Sequence, residues 1–168
     1  MSLNFIPDYY FERFSVASAD FLLSIGVRGI VLDVDNTLEP YENPFPTESV
    51  KNWLKSLQDV GISAAIVSNN CRERIELFNK ELCLPVYYKA AKPFRKNVLR
   101  ALDDMGVVAN EAILMGDQIF TDVWAAHNSG IRAILVPPIR DKRDLFTRFK
   151  RLLERPFLRK YEKKRSHK

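Results

Sequence analysis

From residue 27 onward, short apolar runs alternate with segments whose apolar residues recur every three to four positions. The runs are 30–34 (IVLDV), 62–67 (ISAAIV), 85–88 (PVYY), 112–115 (AILM) and 132–136 (RAILV). Between them, 47–60, 71–83, 94–105 and 120–129 have helical spacing, and three of these segments stop at Gly61, Gly106 and Gly130. Strand alternating with helix leaves few solutions. The strands must lie parallel, with helices on both faces, so the expected fold class is α/β with a doubly wound parallel sheet. Strands covered on both faces carry unbroken apolar runs, as these do.

The flanks are of another kind. Residues 7–24 read as an amphipathic helix, and 143–165 as a helical tail broken near Pro156. A chain of 168 residues closes one core. The expected organisation is a single domain: an N-terminal helical segment (1–26), a core (27–139) and a basic tail (140–168). The net charge of +5 conceals the tail's character, because residues 140–168 hold 13 Lys/Arg against 4 Asp/Glu, a balance of +9. The other 139 residues hold 13 against 17, a balance of −4. Such asymmetry points to a polyanionic partner. Leu145, Phe146, Phe149, Leu152 and Leu153 form one helical stripe, with Arg148, Lys150, Arg151 and Arg155 around it. That stripe fits either packing on the body or lying on an anionic membrane surface, aided by Arg159, Lys160, Lys163, Lys164 and Arg165. No nucleic-acid-binding motif accompanies it. No run approaches a membrane span, no signal peptide is evident, and Cys71 and Cys83 form neither a metal pattern nor a disulfide framework. A cytoplasmic setting, peripheral to the inner face of a membrane, is the expectation.

The parallel sheet gives the polar residues their meaning. Strands of such a sheet end on one edge, where ligands bind. The first run ends in Asp33-Val34-Asp35, the second in Ser68-Asn69-Asn70, the third leads to Lys92-Pro93, and the fourth to Gly116-Asp117 with Asp122 five residues on. Residues two apart on a strand share a face, so Asp33 and Asp35 can address one centre. Clustered carboxylates repel each other and any phosphate unless a hard cation sits among them, and Mg²⁺ suits oxygen ligands with room for water and phosphate. Lys92, Ser68 and Asn69 can meet the remaining phosphate charge. One aspartate can then attack phosphorus while the other manages the proton. A calcium loop starting at Asp33 would need Gly and Glu where Leu38 and Pro44 stand.

DVDNTL, IVSNN, KP and GDQIFTD resemble, in order, the four motifs of the haloacid-dehalogenase (HAD) phosphatases. The resemblance implies Asp33 as nucleophile, Asp35 as acid/base, Ser68 and Lys92 as phosphate ligands, and a Mg²⁺ site drawing on Asp33, Asp35 (through its backbone carbonyl), Asp117 and Asp122. YKAAKPF, GDQIFTDV, ILVPPI and FTRFKRLLERPFLRK further resemble the YqeG family, which is similar to mitochondrial phosphatidylglycerophosphate phosphatases. That likeness implies an anionic lipid head group as substrate. Ala91 and Asn128 depart from it, standing where relatives often carry arginine. His127 is assigned no role, and Trp53 and Trp124 are expected in the core.

Spacing bears on access. Asp35 to Ser68 is 33 steps and Ser68 to Lys92 is 24. The linking helices fill both gaps, leaving no room for a cap domain of ~50 residues. An open site admits a phosphate presented by a lipid surface, a protein or a nucleic-acid end. The rival expectation is a module without activity, docking through its basic tail on RNA or protein.

Overall fold

The computed structural model describes residues 4–140, 156, 157 and 159–161. Among them are the strands β1 (Tyr9–Tyr10), β2 (Gly29–Leu32), β3 (Ser63–Val67), β4 (Val86–Tyr87), β5 (Ala112–Gly116) and β6 (Arg132–Leu135). All pair in parallel, in the order β1-β6-β5-β2-β3-β4. The helices are α1 (Ala19–Ser24), α2 (Glu48–Asp59), α3 (Arg72–Asn79), α4 (Lys96–Met105) and α5 (Trp124–Asn128).

Alternation along each strand divides the core in two. Ile30, Leu32, Ile66, Ile113, Met115 and Ile134 point to one face, where they meet Leu22 of α1, Val50, Trp53, Leu54 and Leu57 of α2, and Ile75 and Phe78 of α3. Val31, Ala65, Val67, Leu114, Ala133 and Leu135 point to the other, against Val98, Ala101 and Leu102 of α4 and Ala125 and Ala126 of α5. The doubly wound reading therefore stands, and Trp53 packs as expected, its indole N–H donating to Ala17 O at 2.9 Å. Between Asp35 and Ser68 lie only one loop, α2 and β3; between Ser68 and Lys92, only α3 and β4. There is no cap.

Three segments differ from expectation. Residues 7–24 are not one helix. Tyr9–Tyr10 forms an edge strand on β6, a 3₁₀ turn follows at Phe14–Val16, and α1 starts only after Ser18, whose Oγ accepts from Phe21 N at 3.2 Å. Asp8 fixes the pairing: its N–H donates to Ala133 O at 3.0 Å and its carboxylate accepts from Ala133 N at 2.8 Å. Without this strand the edge of β6 would expose unpaired backbone, and the Tyr-Tyr pair favours the extended form. The segment expected as helix over 71–83 stops at Asn79, whose side-chain amide clasps Leu84 through both N–H (3.0 Å) and C=O (2.8 Å). The segment 120–129 begins as a π turn, Ile119–Val123, before α5.

The tail stripe from Leu145 to Leu153 and the basic residues beyond 161 lie outside the described residues. The part described packs on the body. Phe157 meets Phe5 and Phe120 edge-on at 5.3 and 5.9 Å, and the Tyr161 hydroxyl accepts from Tyr10 N at 3.1 Å. Arg159 and Lys160 are left exposed.

Candidate active site

The carboxyl edge of the sheet gathers the expected residues. Asp33 sits one step beyond β2, its N–H continuing the ladder to Met115 O at 3.0 Å. Its carboxylate is 2.9 Å from Lys92 Nζ, and Lys92 Nζ is 2.6 Å from Asp122 Oδ1. This lysine is no surface residue, since its side chain is 1% exposed. Asn69 holds it there: the Asn69 carbonyl accepts from Lys92 N at 2.7 Å and its amide donates to Lys92 O at 3.1 Å. Both ends of Asn69 are thus engaged, so it positions the lysine where a phosphate contact was expected. Ser68, at the end of β3, is buried, and its Oγ accepts from Asn70 N at 3.2 Å.

Oxygens of Asp33, Asp117 and Asp122 lie within 4.8 Å of one another, all three residues buried. Burial raises Asp33 to about 6; Lys92 opposes this, and Asp122 and Asp35 add repulsion. Burial, with repulsion from Asp122 and Asp33, lifts Asp117 well above the usual carboxylate range. Lys92 responds inversely. Burial works to lower it, but Asp122 and Asp33 outweigh that and hold it above its ordinary value.

Three buried carboxylates against one ammonium leave two formal negative charges uncompensated. Asp122 Oδ1, though in ion contact with Lys92, has no aligned hydrogen bond. An all-oxygen donor set with a deficit of two positive charges fits a hard divalent cation such as Mg²⁺. The fourth expected ligand, Asp35, does not bring its carboxylate into this set. Its Oδ2 accepts from Asn70 Nδ2 at 2.7 Å and its Oδ1 faces Arg74 at 3.0 Å. Only its backbone carbonyl stays available to a metal, as the resemblance implies. The physical reason is that β2 ends at Leu32, so Asp33 and Asp35 are no longer alternate residues of a strand. Asn36 turns the chain with φ 63°.

Sequence reasoning passed over several contributors. Arg74 of α3 and Asn70 just before that helix bracket Asp35. Thr37 Oγ1 donates to Asp117 Oδ1 at 3.5 Å. Gly116 makes room, because a Cβ there would lie 2.5 Å from Asp122 Oδ2. Asp122 is locked by the π turn, accepting from Gln118 N at 3.0 Å. His127 lies elsewhere. It contacts Asn4 O at 2.7 Å and Asp8 at 3.1 Å, tying down the N-terminal segment at the amino end of β6. Of the two departures, Asn128 donates to Pro93 O at 3.0 Å, and Ala91 is exposed with φ 56°.

Residues 32–136 match the profile of the haloacid dehalogenase-like hydrolases. The chain is 34% identical over 160 residues to a protein of Bacillus subtilis (strain 168) described as a probable phosphatase, YqeG, covering 95% of this chain and 93% of that one. Among solved structures, a HAD-superfamily hydrolase from Ehrlichia chaffeensis superposes with a TM-score of 0.56 at 16% identity, covering 76% of this chain and 98% of that one. A 3-deoxy-D-manno-octulosonate 8-phosphate phosphatase from Moraxella catarrhalis, in complex with magnesium and phosphate ions and a KDO molecule, does so with 0.50 at 17% identity, covering 66% and 68%. These two likenesses concern the fold.

Proposed function

The chain belongs to the haloacid dehalogenase-like hydrolases, and on that premise we propose a Mg²⁺-dependent phosphomonoesterase that works through an aspartyl phosphate on Asp33. The observation carrying this is the Asp33 carboxylate, buried in a three-acid cluster, 2.9 Å from Lys92 and two residues from a second aspartate whose carboxylate turns away from that cluster to Asn70 and Arg74. Asp33, Asp117, Asp122 and the Asp35 carbonyl would hold the cation, which when bound offsets phosphate charge as a Lewis acid. Lys92 keeps Asp33 ionised and directed, and with Ser68 draws in the phosphoryl oxygens. Asp33 Oδ attacks phosphorus as the ester bond breaks, and Asp35 gives a proton to the departing oxygen. Asp35 then takes a proton from a water that attacks the acyl phosphate, releasing phosphate and restoring Asp33.

For substrate, phosphatidylglycerophosphate is our reading. It rests on the resemblance to the YqeG family and is supported by the capless site. Tyr41, Phe45, Phe94 and Ile139, on loops leaving the carboxyl edge, are exposed apolar side chains suited to a lipid interface. The +9 tail, including exposed Arg159 and Lys160, suits an anionic one. No helix among the described residues is long and apolar enough to cross a membrane, so contact would be peripheral. The test is phosphate release, with Mg²⁺ present or chelated, from phosphatidylglycerophosphate in mixed vesicles and from soluble nucleotide and sugar phosphates. The lipid should give the higher kcat/KM. A soluble phosphate better by tenfold, about 1.4 kcal/mol in barrier, would remove the lipid and leave the phosphatase; no release from any substrate would remove both.

A further inference from the structure

Arg74 joins α3 to both ends of the loop that carries the proposed acid/base. NH2 stands 3.0 Å from Asp35 Oδ1, and NH1 donates to Pro44 O at 3.2 Å. The guanidinium lies over the ring of the buried Phe78, one helical turn on, at 5.4 Å. The Arg74 side chain is 10% exposed, and a guanidinium does not lose its charge in a protein. Separating such a pair would leave two poorly hydrated charges uncompensated, so the cation holds the carboxylate where it is. Asp35 needs a holder of this kind, because it lies beyond the end of β2 at Leu32.

Asn70 closes on the same carboxylate from the other side. Its Oδ1 accepts from Cys71 N at 2.7 Å, which leaves Nδ2 to donate to Asp35 Oδ2, also at 2.7 Å. The two oxygens of Asp35 are thereby made unlike. Oδ1 is sealed from solvent against Arg74, so the 17% exposure of the side chain belongs to its other atoms. A sealed oxygen facing a fixed cation is a poor place for a proton, and Oδ2 is the oxygen left to carry one.

We propose that Arg74 is a positioning residue for the acid/base: by occupying Oδ1 it fixes the Asp35 carboxylate with Oδ2 as the oxygen that gives and takes the proton. The inference rests on the phosphatase reading and gives Arg74 no contact with substrate. The leaving group tests it. A nitrophenolate departs without a proton whereas an alkoxide needs one, so a misplaced acid slows alkyl esters far more than aryl esters. The measurement is kcat/KM of the full chain with Mg²⁺ on 4-nitrophenyl phosphate and on glycerol 3-phosphate. Relative to wild type, Arg74→Gln should lose roughly tenfold more on glycerol 3-phosphate than on 4-nitrophenyl phosphate. Asp35→Asn should show the same ordering more strongly, and adding Arg74→Gln to it should cost little further on glycerol 3-phosphate. Arg74→Lys, which keeps the charge, should recover part of the rate on glycerol 3-phosphate and serves if the glutamine variant folds poorly. Equal losses on the two esters, or a full further loss in the Asp35→Asn background, would overturn the proposal and leave the phosphatase standing. Wild-type protein inert on both esters and on the lipid vesicles would overturn the phosphatase reading and the proposal with it.

Discussion

Replacing Gly116 by alanine probes the three-acid cluster without touching a charged group. The added methyl would lie 2.5 Å from Asp122 Oδ2 and nearer still to its Cβ and Cγ, where such atoms rest at about 3.5 Å. Asp122 must therefore retreat by about 1 Å. Retreat is obstructed: the side chain is 1% exposed, Gln118 N holds one oxygen at 3.0 Å, and Lys92 sits 2.6 Å from the other. Overpacking of this kind costs about 1–3 kcal/mol, and at this chain length each kcal/mol lowers Tm by about 2–4 °C. The larger consequence is functional, since a displacement near 1 Å in an aligned site costs about a hundredfold in rate. Turnover of an aryl phosphate, a Mg²⁺ titration of Tm, and Tm itself should fall together. Gly61→Ala is the control. Nothing lies within 4 Å of a Cβ there, yet φ is +79°, so it should cost stability alone. Gly116→Ala protein with wild-type turnover and Mg²⁺ response would refute the claim that this close approach sets Asp122 in place.

Asp33→Asn keeps the shape but not the attacking charge, so turnover should fall by several orders of magnitude while circular dichroism is unchanged. Mg²⁺ should stabilise the fold, by about 2.7 kcal/mol at a hundredfold excess over Kd, and EDTA should reverse the gain in Tm. The metal-free protein should behave oppositely to one held by paired acids. Asp33 is raised from 3.8 to about 6, so the folded state binds the proton more tightly, and stability should fall as pH rises from about 4 to 6. The Mg²⁺-dependent gain in Tm should grow over that same window, because cation and proton compete for these carboxylates. Arg159→Gln with Lys160→Gln should weaken sedimentation with anionic vesicles at low salt, at about 1 kcal/mol per charge, and the difference should vanish at high salt.

Asp33, Lys92, Asp117 and Asp122 were legible because the fold class alone brings strand ends together, and polar residues after buried runs are costly unless used. β2, β3, β5 and β6 were legible for the same reason, being Ile, Val, Leu and Ala in unbroken runs. β1 was not. Its two tyrosines carry no run, and only the vacant edge of β6 and the hydrogen bonds of Asp8 to Ala133 make a strand of them. Asn69 and Asn70 were visible as polar residues at a strand end, but which polar group each one meets depends on where Lys92 and Asp35 arrive from other parts of the chain. Gly116 shows the same limit: its need for no side chain is a fact about Asp122, six residues away and folded back by a π turn.

The pair Asp33 and Asp35 shows what such contacts decide. Read along the chain they are equivalent, two acids two residues apart after one strand. The end of β2 at Leu32 breaks that equivalence. Asp33 stays buried at the sheet edge, where burial lifts it to about 6 and Lys92 opposes that rise. Asp35 turns away past Asn36 to Asn70 and Arg74, with its side chain 17% exposed. Environments that differ this much suit identical carboxyl groups to the separate roles of nucleophile and acid/base that the proposed mechanism gives them. The difference comes from α3, β4 and the loop after β5, none of which is adjacent to them in sequence.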